Sequence, residues 1–400
     1  MLFTYKALQK EGHIIEGEKE SENPQNLAKT LKEEGLVLIS THEKKKGKIE
    51  LSFSFSAFKM HEKITFARNI GTMLDAGLAL SRALEVISRQ TKNPKTRKII
   101  IEINDKIKSG SSFGSALGNY PKIFNSLFVS MVQAGEESGN LVDAFKNISS
   151  QLEKSYVLMK KVKGAMVYPG VIITAMAIVG FFMMTYIVPT LSKTFKDLGV
   201  ELPATTQFII GMSDFLQNHT ISFFLIVAAV IAGLILLLKS TFGKKAFDIL
   251  VINTPLFGEL TKEINSARTA RTLSSLLKAG VPYLQAVKIT KGVVSNHLYV
   301  NILEKAEKRV ETGDKISQVF TDNEKYYPAF VGEMVAVGEE TGELSDMLLK
   351  VAEFYENEVE QKTKNMSTIV EPILMLLVGI GVGFFAISMI SPMYSLVENI

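Results

Sequence analysis

The chain has no cysteine among its 400 residues. That excludes disulfides, thiolate nucleophiles and Cys-ligated metals, and it says little about compartment. There is no P-loop, no HExxH pair and no glycine-rich dinucleotide turn after a strand. The five histidines stand at 13, 42, 61, 219 and 297 without paired spacing, which argues against a histidine metal site. Met1–Lys10 lacks the long apolar run of a signal peptide, so none is expected. The formal net charge of +4 is too small to argue for a nucleic-acid partner. Apolar residues are abundant instead: 46% hydrophobic content stands beside 22% charged residues, with a mean hydropathy of +0.18. This combination points to charged domains joined to membrane spans, and the length could hold two ordinary domains.

One stretch is written twice. Gly135-Glu136-Glu137-Ser138-Gly139-Asn140-Leu141 returns 203 residues later as Gly338-Glu339-Glu340-Thr341-Gly342-Glu343-Leu344. The same offset maps Arg68 on Arg271, Ala76-Gly77 on Ala279-Gly280, Gly110 on Gly313, Pro169 on Pro372 and Pro189 on Pro392. Self-similarity that holds register this far, at a period too long for a solenoid, indicates a duplicated domain.

The expected fold class is mainly α, with a small N-terminal α+β unit, two homologous cytoplasmic six-helix bundles and three transmembrane helices. Residues 1–41 alternate as strands around a turn at Glu11-Gly12-His13, and Pro24 suits the start of a helix that Gly35 ends. Residues 42–56 are a lysine-bearing linker, either solvated or lying near an anionic membrane surface. Residues 57–164 form the first bundle, with helices broken at Asp75–Gly77, Pro94, Gly110 and Pro121. Its last helix carries Leu141, Phe145, Ile148, Leu152 and Tyr156 on one stripe. Residues 255–368 repeat it.

Residues 165–188 carry no charge and are long enough to cross a hydrocarbon core of about 30 Å. Residues 221–238 and 369–390 make the second and third spans. Pro169 and Pro372 are expected to bend the helices where they enter the membrane. The connection 189–220 contains only Lys193 and Lys196 as basic residues, whereas Lys160, Lys161, Lys163, Lys239, Lys244, Lys245, Lys362 and Lys364 flank the other span ends. The positive-inside rule therefore puts both bundles and the N-terminus in the cytoplasm, with 189–220 and the tail 391–400 outside. The spans contain essentially no ionisable residue of the kind that lines a transport path, only Glu371 near one end. An oligomeric transporter or channel is the rival reading.

Four roles compete for Glu136, Glu137, Glu339 and Glu340. Glycine can end one helix and Ser or Thr cap the next, leaving the carboxylates solvated. The carboxylates can join a polar network with Arg68 and Arg271, present a surface to a cytoplasmic partner, or hold a hard cation weakly. Adjacent carboxylates lie about 100° apart on a helix and do not form an acid–base pair by themselves. Gly110-Ser111-Ser112-Phe113-Gly114 matches GxSxG, but it falls between helices, where a nucleophile elbow has no sheet to stand on. A helix cap is expected there.

The doubled "GEESGNL" and "GEETGEL", the Ala-Gly turns at 76–78 and 279–281 and the proline-marked spans resemble the type II secretion system F family over essentially the whole chain. Asn125 departs from the proline that the second copy has at Pro328, which leaves the turn before the fifth helix open. The resemblance implies a non-enzymatic inner-membrane platform with no cofactor, metal or catalytic residue. It implies a cytoplasmic hexameric ATPase, pilins or pseudopilins, other inner-membrane assembly proteins and lipid as partners, and a homo-oligomer.

Overall fold

The computed structural model describes residues 2–9, 14–21, 24–33, 35–43, 58–197, 202–255 and 257–398. It divides into two units, Met1–Ala57 and Phe58–Ile400.

In the first unit, β1 (Leu2–Gln9), β2 (Ile14–Glu20) and β3 (Leu36–Glu43) form an antiparallel sheet in the order β2-β1-β3. Helix α1 (Pro24–Glu33) starts on its proline, whose missing N–H costs nothing at that position. Leu27 and Leu31, one turn apart, are buried. The expected turn at 11–13 and linker residues 44–56 lie outside the described residues.

The second unit is helical. Its first bundle comprises α2 (Met60–Asp75), α3 (Leu80–Gln90), α4 (Pro94–Lys108), α5 (Phe113–Gly118), α6 (Ser126–Glu137) and α7 (Leu141–Ala165). Side-chain caps set several of these starts. Asn93 accepts from the N–H groups of Lys95 and Thr96, and Ser112 accepts from Ser115 N at 3.2 Å. Ser112 is thus a cap, as the helical context of GxSxG requires. Asn125 caps α6 through Phe128 N at 3.1 Å, so it starts the helix where the second copy uses Pro328. α2 and α7 pack lengthwise over a core rich in phenylalanine, with Phe128 between Phe124 and Phe145. Each such buried ring contributes on the order of 2 kcal/mol.

α8 (Val167–Phe182), a π-helical turn (Met183–Ile187) and α9 (Val188–Asp197) continue from α7 with one non-helical residue, Met166. Then come α10 (Ala204–Asn218), α11 (Thr220–Lys239) and α12 (Thr241–Asn253). The second bundle is α13 (Phe257–Lys278), α14 (Tyr283–Val293), α15 (His297–Glu311), α16 (Ser317–Thr321) and α17 (Ala329–Thr341), closed by the first part of α18 (Leu344–Glu398). Among the described residues, three helical stretches are long and apolar enough to cross a membrane: within Leu141–Asp197, Thr220–Lys239 and within Leu344–Pro392. The connection 189–220 is largely helical rather than irregular, because α9 and α10 bury an apolar face of Val188, Phe195, Ile209 and Ile210 against Met389.

Candidate functional site

The glycines and glutamates of the doubled turn serve different purposes. Gly135 lies inside α6 rather than ending it. A Cβ there would sit 2.4 Å from Ala144 Cβ, so its lack of a side chain lets α6 approach α7. Gly338 does the same for α17 and α18, where a Cβ would fall 2.7 Å from Leu344 Cα. The helix ends come four residues later, at Gly139 and Gly342, with φ of 71° and 78°. That left-handed backbone is easy for glycine and strained for other residues. Asn140, not Ser138, caps α7, accepting from Asp143 N at 3.2 Å.

The first glutamate of each turn is half-buried and engaged by backbone donors. Glu136 Oε1 accepts from Phe113 N at 2.8 Å and Oε2 from Gly114 N at 3.0 Å. Glu339 repeats this on Ile316 N (2.7 Å) and Ser317 N (3.2 Å). Each carboxylate therefore caps the short helix before it, α5 or α16, and satisfies two donors that a helix start leaves unpaired. The negative charge also suits the positive end of the helix dipole. The Tyr283 hydroxyl reaches Glu339 at 3.4 Å, and burial together with that carboxylate pushes the phenol above its usual range. The second glutamates face outward. Glu340 meets Lys315 at 3.4 Å, and Glu137 is exposed.

Arg68 and Arg271 do not join these carboxylates, so the network with the arginines, one of the four competing roles, is not formed. Each arginine pairs instead with the last helix of its own bundle, which runs alongside the first. Arg68 meets Glu153 at 2.7 Å, and Arg271 grips Glu356 through Nε (2.8 Å) and a terminal nitrogen (2.7 Å). The two pairs are one repeat apart at both ends, so duplication preserved the whole pair. They differ in setting: the Arg68–Glu153 side chains are 52% and 51% exposed, the Arg271–Glu356 side chains 11% and 15%. Glu153 and Glu356 were legible in the sequence by the same offset of 203 that relates the arginines.

The prolines act through the carbonyls they leave free. Pro169 cannot donate to Ala165 O, and the helix breaks at Met166, just beyond that carbonyl. Pro372, where a bend is expected, lies inside α18, which stays helical past it. Farther along, Pro189 and Pro392 cannot donate to Thr185 O and Ser388 O, two positions that are again one repeat apart. Gln217 Nε2 donates to Thr185 O at 2.8 Å, and Thr206 Oγ1 donates to Ser388 O. Both donors stand on α10, which thereby ties the ends of the first and third spans together.

Apolar grooves open on the spans. One of about 930 Å³ lies between α8, α10 and α11 and includes Phe181, Phe215 and Phe224. Another of about 430 Å³ lies between α8 and α18, where Tyr168 and Glu371 sit at its polar end. α11 buries none of its residues within the protein.

A duplicated helical bundle whose last helices run on as membrane spans defines a multi-pass membrane protein with internal repeats. The sequence profile of the family described as "Type II secretion system (T2SS), protein F" matches residues 66–189 and 269–392, and the chain belongs to that family. The two matched segments are offset by the same 203 residues as the doubled turn. The chain is 34% identical to a "Type IV pilus assembly protein PilC" of Thermus thermophilus, covering 100% of this chain and 99% of that protein. It is 31% identical to a protein of the same name from Myxococcus xanthus, over 98% and 94% of the two chains. It is 29% identical to a "Type II secretion system protein F" of Xanthomonas campestris, over 100% and 99%.

Proposed function

We propose that this protein is a non-enzymatic inner-membrane platform for type IV pilus assembly or type II secretion, coupling a cytoplasmic hexameric ATPase to the insertion of pilins or pseudopilins. The observation that carries this reading is the continuity between bundle and span. α7 stays helical through Lys160–Gly164 and passes into α8 with one intervening residue, and α18 runs without a break from Leu344 to Glu398. In this reading a movement of the second bundle reaches the bilayer along α18, and one of the first bundle along α7 and α8 across the single residue Met166.

In this reading the lysine-flanked span ends and both bundles face the cytoplasm, and 189–220 lies outside. The exposed Glu137 and Glu340 are the contact candidates for the ATPase, since Glu136 and Glu339 are engaged as caps. A pilin anchored by one apolar helix finds a lateral apolar surface in the groove between α8, α10 and α11. The names of the relatives support the machinery, and the charge-poor spans suit a lateral surface better than a pore.

The test is a short Gly-Ser insertion after Asn365, between the second bundle and its span. Retained ATPase co-purification with loss of fibre assembly is expected. Normal assembly with the rod interrupted would refute mechanical coupling through α18.

A further inference from the structure

The two bundles meet through unlike faces. α6 and α7 of the first pack on α13 and α14 of the second, and α7 also runs beside α18, where Lys161 meets Glu360 at 2.5 Å. Gln151 lies in the seam with α13: its amide nitrogen donates to Thr272 Oγ1 at 3.3 Å, and its amide oxygen accepts from Ser275 Oγ at 2.9 Å. No comparable packing of α17 and α18 on α2 and α3 occurs among the described residues.

Among the described residues of this unit, both halves of that second contact are therefore open. Phe354 stands one repeat beyond Gln151; Gln151 is 5% exposed and Phe354 46%. Phe354 rests on Phe330 with ring centroids 5.0 Å apart, and exposed Val337 lies two turns farther along α17 on the side of Phe330. On the first bundle, Thr65 and Thr72 are exposed and Asn69 is half-buried, whereas their equivalents Arg268 and Ser275 are half-buried and Thr272 is fully buried. Beside this stripe a cleft of about 620 Å³ opens, floored by Phe58, Phe66, Ile87 and Ile100.

We propose that a second copy of this chain covers these faces: the Phe330–Phe354–Val337 ridge of one protomer docks on the α2 stripe and cleft of the next. The contact repeats between chains the seam that joins α7 to α13 within one chain. Duplication supplied each bundle with both faces, and only one of the two pairings is made internally. Exposed Phe354 and Val337 with half-buried Phe330 present apolar surface that a partner would cover. The contact is head-to-tail, so it closes a ring or continues from copy to copy. It goes beyond the platform reading and requires neither ATPase nor pilin.

The lack of native cysteine makes the test direct. Full-length chains bearing Asn69→Cys and chains bearing Phe354→Cys, differently tagged, are co-expressed and treated in membranes with a short bismaleimide. A covalent heterodimer recovered through either tag is expected, with no dimer from either variant alone. Gln151→Cys with Ser275→Cys in one chain serves as the internal control. Homodimers of Phe354→Cys would indicate a like-to-like contact and overturn the proposal, as would absence of the heterodimer while the control bridges. Adding Val337→Glu to the Phe354→Cys chain should lower the heterodimer yield on the order of tenfold; an unchanged yield overturns the apolar ridge as the contact.

Discussion

Gln217 donates to the carbonyl of Thr185, four residues before Pro189 and inside the π-helical turn. Thr206, on the same helix, donates to the carbonyl of Ser388, four residues before Pro392. One helix thus donates to carbonyls one repeat apart in two different spans, and these bonds join the spans. Thr206→Val keeps the shape of the side chain and leaves the Ser388 carbonyl unpaired, at a cost of about 1–3 kcal/mol. Pro392→Ala returns an N–H to that carbonyl. The double variant is therefore expected to lose less than Thr206→Val alone, which a double-mutant cycle on thermal unfolding in detergent would measure.

Removing the cap is expected to separate the two glutamates of each turn. Glu136→Ala abandons two N–H groups at the start of α5, and Glu339→Ala two at α16, each costing about 1–2 kcal/mol. Glu137→Lys and Glu340→Lys should leave unfolding within about 0.5 kcal/mol of the parent. Loss of ATPase co-purification in these outer variants, with stability intact, is the result that supports them as contacts.

The duplication, the helical bundles and the spans could all be read from the sequence because each is a periodic pattern, and periodicity survives without coordinates. The turn was harder. Glu136 and Glu137 are identical in type, and only the placement of α5 distinguishes the cap from the exposed residue. Gly135 reads as a helix terminator in a string of letters, yet the closeness of Ala144 makes it a packing residue. α10 was hidden for the opposite reason: its key donors, Thr206 and Gln217, are ordinary polar residues whose partners lie far along the chain.

The repeated ion pairs should differ in worth. Arg68→Ala removes a solvent-screened pair and is expected to cost no more than about 1 kcal/mol. Arg271→Ala strands Glu356 in a largely covered site, at a cost on the order of 3 kcal/mol. Arg271→Lys keeps the charge but cannot reproduce the two parallel bonds, so it should fall between them. Chemical denaturation of the three variants would rank them.

Glu263 supplies a pH dependence. Its side chain is buried, Oε2 has no hydrogen-bond partner, and Lys362 approaches Oε1 at 2.6 Å. Burial raises its pKa above the usual carboxylate value, and the hydrogen bond from Lys362 only partly opposes this. The folded protein therefore holds this proton more tightly than the unfolded chain. The resulting stability is fully present below the unfolded pKa and is lost as pH rises through the folded one. Glu263→Gln removes the titrating group while keeping its size. Thermal stability compared between the ordinary glutamate range and neutral pH should fall less with rising pH in the variant than in the parent. Equal slopes in the two proteins would show that Glu263 does not carry this dependence.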